Sequence, residues 1–326
     1  TGENRILTYF GLQVINSNPR NGIKAIIQGV KKNILTITDV VFIIAPRINA
    51  AGRMKHGNYA VELLTEMDYE TAIRFAASIE KFNIERKEID KKITYEALQQ
   101  IEAADEKEKF STVVYSEDWH KGVIGIVASR LIESYYRPTL VFTKSGEKLA
   151  ASARSVKGFD VYEALEQCSE HLEQFGGHKY AAGLTLSPDQ YIPFKEKFEA
   201  VVKKTIDKEL LIPEIAIDSP LELSDITPKF FRILKQMGPF GPKNMKPVFT
   251  TNAVRDNGYG KRVGVDKSHL KLNIINGADQ KTYNAIGFGL GDKITSTQND
   301  FDIAYNLDEN EWNGNTSIQL LIKDIK

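Results

Sequence analysis

The sequence predicts an α/β protein followed by an all-β domain, with a long helix ahead of both. Three patterns indicate this. A charged helical stretch covers residues 67–109, short apolar strands alternate with helices over 110–210, and short alternating strands separated by Gly and Asn turns fill 211–326. With 326 residues, the chain is long enough for two or three domains with cores of their own.

Residues 1–66 have the mixed pattern of the end of a domain. An apolar, strand-like run, "VVFIIAP" (40–46), leads into a loop rich in small residues, "RINAAGRMKHG" (47–57), and then into a helix. The opening stretch "TGENRILTYFGL" has neither an initiator Met nor a signal-peptide pattern, so we expect a segment of a longer protein. The single Cys168 and the lack of an apolar run long enough for a membrane span indicate a cytoplasmic protein with a buried, inert thiol.

A long connecting helix is predicted over 67–109. Asp68 is a good N-cap with Glu70 in the first turn, and apolar residues recur at spacings of three, four and seven. Because Gly and Pro are absent from this stretch, we expect a stiff spacer rather than a flexible linker.

The stretch 110–210 alternates between strands and helices, which is α/β patterning. The loop "EDWHKGVIG" (117–125) leads from the first strand into the first helix, and we expect it to aim His120 or Trp119 at an interdomain cleft. Strands are predicted at 111–116, 137–143, 148–155 and 182–186, and helices at 125–136, 160–172 and 189–208.

Beyond Pro213, the pattern predicts an antiparallel barrel of five or six strands, most simply an OB fold. Residues 229–271 hold ten Lys or Arg against only Asp256 and Asp266, although the whole chain has 43 basic and 43 acidic residues. Aromatic residues are threaded through this basic block. Charge with stacking faces is what binding to single-stranded nucleic acid requires, although a solvated basic face stays open as an alternative.

Six motifs occur in one order along the chain: "APRINAAGR" (45–53), "WHKGVIGIVASRL" (119–131), "AASARS" (150–155), "FGGHKYAAG" (175–183), "GPFGPKNMKPVF" (238–249) and "NEWNGNTSIQLLIKDI" (310–325). With these motifs the chain resembles the C-terminal part of the RecJ family. These are 5′→3′ exonucleases of the DHH phosphoesterase superfamily that are specific for single-stranded DNA. The resemblance covers essentially the whole chain.

The resemblance implies four segments: the C-terminal remainder of a DHH catalytic domain (1–66), a connecting helix (67–109), a DHH-associated domain with a Gly-Gly-His motif (110–210) and an OB-fold domain (211–326). It also implies phosphodiester hydrolysis with two Mn²⁺ or Mg²⁺ ions. The family's Asp- and His-rich motifs do not occur here, and the five histidines show no grouping typical of a metal site. We therefore assign no metal ligand to this chain and expect it to be inactive alone.

The predicted substrate clamp begins in the loop at 47–57. Two planar guanidiniums, Arg47 and Arg53, bracket Asn49 and are suited to grip phosphate oxygens, while the small residues let the backbone approach. Asn49 and Arg53 match the family motif that closes one side of the active-site groove. Two surface arginines in a turn remain the alternative.

A second group of site residues is predicted in the DHH-associated domain. Ser152 and Arg154 alternate along a strand, so both side chains leave the same face, and the resemblance assigns this position to a pocket for the 5′ end. His178 is the predicted catalytic donor to the scissile or a neighbouring phosphate, with Gly176 and Gly177 bringing it close. A tight turn with an exposed histidine is the alternative.

In the OB fold, the basic and aromatic residues predicted to bind DNA are Phe240, Lys243, Phe249, Tyr259, Lys261 and Arg262. Expected partners are single-stranded DNA and, by the resemblance, a single-strand-binding protein and a helicase, with no membrane. Two other functions stay open: a non-catalytic single-strand-binding module, and a small-nucleotide phosphodiesterase of the same superfamily. The phosphodiesterase should lack the OB barrel.

Overall fold

The computed structural model describes residues 2–276, 279–312 and 314–326. The chain divides into two compact units, one formed by 14–213 and the other by 1–13 with 214–326. In the part of the chain that the structure describes, no helix is both long and apolar enough to cross a bilayer.

The first part of the 14–213 unit is helical. A polar cap starts its longest helix, because the Asp68 carboxylate accepts a hydrogen bond of 2.8 Å from the Thr71 N–H. The buried positions Ile79, Ile93 and Ile101 follow the helical period along that helix. The helices are α1 (Glu3–Ser17, shared between the two units), α2 (Asn21–Ile27), α3 (Ile37–Asp39), a π-helix (Val40–Ile44), α4 (Ala45–Met54), α5 (Asn58–Thr65) and α6 (Tyr69–Ala103).

Two expectations for residues 40–57 are wrong. The run predicted as a strand forms the π-helix and the start of α4, and the predicted loop is mostly α4 itself. A short apolar run has no periodicity that separates a strand from a buried helix. The small residues have a packing role, since Ala50 and Ala51 are fully buried where α4 packs against α6.

The second part of the same unit is a five-stranded mixed sheet with strand order β1-β2-β3-β5-β4. Helix α7 and the sheet residues Val114 and Val141 form a core on one face, and α8 and α9 cover the other face. The elements are β1 (Thr112–Tyr115), α7 (Ile124–Ser134), β2 (Thr139–Ser145), β3 (Lys148–Arg154), α8 (Val161–Glu166), β4 (Gln174–His178), β5 (Ala181–Leu186) and α9 (Tyr191–Thr205).

The Gly-Gly-His stretch is an edge strand rather than a turn. Gly176, Gly177 and His178 all pair with β5 in an antiparallel ladder. Cys168 is fully buried in this domain, and burial raises the pKa of its thiol to about 12, so the thiol stays protonated at neutral pH.

The unit containing 214–326 is built on strands that pair in a cyclic order. β7 pairs with β11, β11 with β12, β12 with β10, β10 with β9, and β9 again with β7 over three residue pairs, 254–256 with 276–274. The elements are β6 (Ser219–Pro220), α10 (Pro228–Gln236), β7 (Phe249–Asp256), β8 (Lys261–Val263), β9 (His269–Asn276), β10 (Asp279–Gly287), β11 (Phe301–Trp312) and β12 (Asn315–Ile325). This order, with β10 and β12 parallel, is that of an OB fold, and the predicted fold class is confirmed.

Candidate functional site

Two side chains on β3 face the same side of the mixed sheet as α7. Ser152 and Arg154 are two residues apart, so they leave the same face of the strand. Arg154 Nη1 donates hydrogen bonds to Ser152 Oγ at 3.0 Å and to the Ala153 carbonyl at 2.8 Å. The guanidinium is thereby held beside the serine hydroxyl.

The face that bears Ser152 and Arg154 continues across β5 to the edge strand β4. Ser152 stands opposite Gly183 and Gly183 opposite Gly176, while Ala181 stands between Arg154 and His178 in the next row. Residues directly opposite one another project to the same face. His178 therefore shares a face with Arg154 two strands away, about 9.5 Å across at ~4.8 Å per strand.

This part of the face is open. Gly176, Gly183 and His178 are exposed, and a Cβ added at Gly176 would meet no atom within 4 Å. The sheet therefore offers a shallow floor without large side chains, with the polar groups of β3 on one side and the imidazole of β4 on the other. A phosphodiester backbone can approach such a floor closely.

The N-terminus of α7 closes one side of the pocket. A Cβ added at Gly125 would lie 2.9 Å from Ser152 Oγ and 3.0 Å from Arg154 Nη2, so only glycine lets the helix start this close to both groups. The Gly125 N–H lies in the first turn, where helix donors lack intrahelical acceptors, and no acceptor for it occurs among the described residues. The backbone of Gly125 thus lies against a hydroxyl and a guanidinium at the start of a helix, a combination of groups suited to an anion.

Arg53 adds a second positive charge to the pocket. Its Nη1 donates a hydrogen bond of 3.0 Å to the Gly122 carbonyl, which ties the end of α4 to the loop before α7. Burial and, next, the charge of Arg53 lower the pKa of the Arg154 guanidinium from its ordinary value. No carboxylate among the described side chains forms an ion pair with either arginine. A bound anion would relieve this repulsion.

The long helix α6 supplies charged residues that sequence reasoning missed. Asp90 is fully buried and accepts two hydrogen bonds of 2.9 Å from Arg130 on α7, and Arg86 lies 3.7 Å from the same carboxylate. Burial and the positive charges of Arg53 and Arg130 lower the pKa of Arg86, while Asp90 opposes this. The only sequence signal for this cluster was the i, i+4 spacing of Arg86 and Asp90.

Other predicted residues of this region lie elsewhere. Arg47 forms an ion pair with Glu80 on α6 and donates to the Ile43 carbonyl at 2.7 Å, so it is not paired with Arg53 around Asn49. Asn49 is exposed on α4. A helix rather than a loop separates these positions, and six residues of helix turn the two arginines to different faces.

Trp119 and His120, the two side chains predicted in the loop at 117–125, lie in different environments. Trp119 is buried in the core, and its indole N–H donates to Glu96 on α6 at 2.8 Å, so of the two residues expected to face a cleft Trp119 does not. His120 is half-buried, and its Nδ1 accepts the Gly122 N–H at 3.1 Å. The histidine therefore shapes the turn that precedes α7.

Gly177 has a structural reason to be glycine. Its φ is +153°, and an added Cβ would overlap the Ala181 carbonyl oxygen and Ala182 of the neighbouring strand. Gly177 thus lets β4 pair with β5, whereas Gly176 leaves open space on the floor.

A separate basic surface lies on the OB fold. Lys261 on β8 stands directly opposite Lys271 on β9 in the ladder, and exposed Tyr259 precedes β8. Like charges directly opposite one another destabilise a strand pair, so this pair favours a bound polyanion. Exposed Phe288 packs edge-on against His269 of β9, with ring centroids 5.1 Å apart. The sequence analysis did not identify Phe288 as a candidate.

The basic block is less charged in the structure than its residue count indicated. Four of its ten basic residues form ion pairs with acids outside the block: Lys235 with Glu309, Lys246 with Asp308, Arg255 with Asp300, and Arg262 with Asp292. The tertiary structure brings in these acids from β11 and the segment before it, which a count along the chain cannot foresee.

Phe249, predicted to bind DNA, lies instead in the core of the OB fold. It is 7% exposed and packs against Phe230 and Tyr305. A buried ring has no face for a base, so this prediction is wrong. Phe240 is half-buried and Lys243 is exposed, and both belong to the segment between α10 and β7.

Within the described ranges, no three His, Cys, Asp or Glu side chains come together in a group suited to a metal ion. The donors present here therefore do not fit a two-metal centre. The groups gathered around Arg154 are instead suited to anion binding.

Comparison with known protein families identifies the two domains of this chain. A DHHA1 domain matches residues 108–204 and a RecJ OB domain matches residues 217–324, so the chain joins these two domain types. The chain is similar to members of the RecJ family in the region of that family's C-terminal DHHA1 and OB domains. The predicted resemblance is thereby confirmed.

Named relatives cover nearly the whole chain. It is 34% identical to the single-stranded-DNA-specific exonuclease RecJ of Bacillus subtilis over 99% of this chain and 41% of that protein, and 31% identical to that of Escherichia coli over 99% and 57%. The crystal structure of Thermus thermophilus RecJ in complex with Mn²⁺ superposes with a TM-score of 0.84 at 27% identity, covering 100% of this chain and 47% of that one. The chain thus spans about half the length of the proteins it matches.

Proposed function

We propose that this chain is the substrate-binding part of a 5′→3′ exonuclease specific for single-stranded DNA, acting in DNA repair and recombination. One observation carries the proposal: Arg154 and Ser152 lie together against the start of α7 at Gly125, beside Arg53 and without a carboxylate partner among the described side chains. In this proposal these groups bind the 5′-terminal phosphate.

The geometry suits a terminal phosphate. The start of α7 and the β3 side chains bound the pocket on one side, whereas the glycine floor stays open towards His178. A strand anchored by its end in the pocket would run over this floor, which places His178 beside a following phosphate as a hydrogen-bond donor. In this proposal Arg53 strengthens the pocket, and His120 holds the loop that positions Gly125.

The OB fold would hold the rest of the strand. Lys261 and Lys271 supply charge, and Tyr259 and Phe288 supply exposed rings for stacking. Arg262 belongs to the proposed set, but its charge is partly neutralised by the ion pair with Asp292. Phe240 and Lys243 extend the proposed set. The presence of an OB domain also argues against a small-nucleotide phosphodiesterase, which has no use for a surface that follows a polymer.

Hydrolysis would depend on Mn²⁺ or Mg²⁺, the ions named with the Thermus thermophilus structures. Such ions supply an activated water and neutralise charge in the transition state. Because the described side chains form no metal-binding group, this chain's own contribution is to bind and orient DNA, and we propose that it is inactive alone. A single-strand-binding protein and a helicase are proposed partners.

The test compares two oligothymidylates that differ only at the 5′ end, one with a phosphate and one with a hydroxyl. Arg154→Ala should weaken binding of the phosphorylated strand by roughly ten- to a hundredfold, because a charge-assisted contact is typically worth about 1.5–3 kcal/mol. Binding of the hydroxyl strand should change little. His178→Ala should affect both strands alike.

Arg74→Ala is the matched control. Arg74 is exposed on α6, and its Nη2 donates a hydrogen bond of 2.8 Å to the Thr71 hydroxyl. The proposal fails if the wild-type chain does not distinguish the two 5′ ends, or if Arg154→Ala weakens binding of both strands equally.

A further inference from the structure

The carboxylate of Asp256 organises the turn at 257–260, which joins β7 to β8. Asp256 is the last residue of β7, and its side chain is half-buried. Its Oδ2 accepts hydrogen bonds from the N–H groups of Gly258 at 2.9 Å and Gly260 at 2.7 Å, and its Oδ1 accepts one from the Asn273 N–H on β9 at 2.8 Å. One carboxylate therefore fixes the turn internally and ties it to the neighbouring strand.

Two further contacts hold the same turn against β9. The Asn257 N–H donates to the Asn273 carbonyl at 2.9 Å. A Cβ added at Gly260 would stand 3.0 Å from Asp256 Oδ2 and 3.0 Å from Leu272, which is fully buried. The backbone of the turn thus lies directly on the carboxylate and on the core, so its conformation depends on Asp256.

This turn carries an exposed aromatic ring. Tyr259 is 72% exposed and lies between Gly258 and Gly260, the two residues whose N–H groups donate to Asp256. The next residue, Lys261, stands opposite Lys271 in the β8–β9 ladder. Because fixing one residue of backbone costs roughly a five- to thirtyfold factor in an equilibrium, a turn that is already ordered before binding favours stacking of its ring on a base.

The charge and the hydrogen bonds of Asp256 have opposite effects on DNA binding. Asp256 and Asp266 are the only acidic residues of the sequence between 229 and 271, a stretch with ten Lys or Arg. A carboxylate on a basic surface repels phosphate, so its charge alone would weaken binding. Its hydrogen bonds to the turn would strengthen binding. The sign of the change on removing the charge therefore separates the two effects.

We propose that Asp256 is a positioning residue for single-stranded DNA, because its carboxylate holds the turn at 257–260 in the conformation that presents the Tyr259 ring to a base. This role rests on the proposed function, in which Tyr259 and Lys261 bind the strand. Asp256 makes no contact with DNA itself and acts through Tyr259.

The test compares a fluorescein-labelled oligothymidylate with an abasic strand of equal length, which keeps the phosphates and lacks the bases. Asp256→Asn keeps the size of the side chain but removes its charge and replaces one acceptor oxygen by a donor. Affinity for oligothymidylate, measured by fluorescence anisotropy, should fall roughly five- to thirtyfold, the cost of ordering one residue of the turn on binding. Affinity for the abasic strand should stay the same or rise. In a Tyr259→Ala background, Asp256→Asn should no longer weaken binding of oligothymidylate.

Asp266→Asn is the matched control. Asp266 is exposed in the turn between β8 and β9, where it accepts the Ser268 N–H at 3.1 Å, and its substitution removes the same charge from the same basic stretch. It should weaken binding of neither strand.

The proposal is overturned if Asp256→Asn leaves oligothymidylate binding unchanged or strengthens it, or if its effect is undiminished in the Tyr259→Ala background. Equal weakening of both strands, with a lower unfolding temperature, would also overturn it, because Asp256 would then support the domain rather than Tyr259. If Tyr259→Ala alone binds oligothymidylate as the wild-type chain does, the proposed DNA-binding surface of the OB fold fails and the role of Asp256 fails with it. A loss in Tyr259→Ala without a loss in Asp256→Asn rejects only the role of Asp256.

Discussion

Replacing Gly125 by alanine should weaken anion binding without a large change in the stability of the fold. Gly125 lies in the first turn of α7, and alanine is the better helix former by up to about 1 kcal/mol. The added methyl would stand 2.9 Å from Ser152 Oγ and 3.0 Å from Arg154 Nη2, closer than ordinary contacts allow. Because this close contact opposes the gain in helix propensity, the unfolding temperature should change little, while the anion pocket is obstructed.

The size of the binding effect follows from how Arg154 is held. Its Nη1 hydrogen bonds to Ser152 Oγ and to the Ala153 carbonyl, at 3.0 and 2.8 Å, resist a shift of the guanidinium. If the methyl excludes the phosphate from one charge-assisted contact, about 1.5–3 kcal/mol is lost, which is roughly ten- to a hundredfold in affinity. Anisotropy titrations with 5′-phosphorylated and 5′-hydroxyl oligothymidylate should show this loss only for the phosphorylated strand.

Gly11→Ala provides the matched control, because Gly11 is also a helical glycine and an added Cβ there meets no atom within 4 Å. It should leave the affinity for both strands unchanged. Full discrimination between the two strands in Gly125→Ala would show that the phosphate does not sit at the start of α7. A large fall in unfolding temperature would show that the methyl disturbs the packing instead of the ligand.

Three further outcomes are expected. Affinity for single-stranded DNA should fall by about 0.7 log units per log unit of salt concentration for each neutralised phosphate. Duplex DNA of equal length should bind more weakly. An affinity that does not change with salt would contradict the proposed role of the OB surface. Phe249→Ala should lower the free energy of unfolding by about 3–5 kcal/mol in denaturant titrations, whereas Tyr259→Ala should weaken DNA binding by about 1–3 kcal/mol with little effect on stability. Purified chain incubated with labelled single strands and Mn²⁺ should release no nucleotides, and turnover that disappears in His178→Ala would put catalysis inside this chain.

The sequence predicted those elements whose hydrophobic period is unambiguous. The connecting helix begins at its predicted cap, and the strand at 148–155 appears as Lys148–Arg154, because alternation and capping are local properties. The run at 40–46 was misread because seven apolar residues without a period fit a strand and a helix equally. Only the tertiary contact of α4 with α6, made through Ala50 and Ala51, decides for the helix.

The site could be predicted in part for the same reason. Ser152 and Arg154 share a strand, so their common face follows from sequence alone. The contribution of Gly125 and the ion pair of Arg47 with Glu80 depend on how α7 and α6 pack. Residue spacing in the sequence does not reveal this packing. Phe249 was assigned to DNA because an aromatic residue in a basic stretch looks the same in sequence whether its ring is buried or exposed.

The two proposed DNA-binding surfaces differ in the physics by which they bind phosphate. Lys261, Lys271 and Tyr259 are exposed, so their attraction for DNA is screened by salt and does not depend on the identity of the strand's end. Arg154 is partly buried, fixed by two hydrogen bonds and destabilised by a neighbouring arginine, so it gains most from one phosphate that enters the pocket. Partly buried charges are screened less than exposed ones. Under the proposed function, affinity for the strand and selectivity for its end therefore have separate physical sources, and a substitution on one surface need not alter the other.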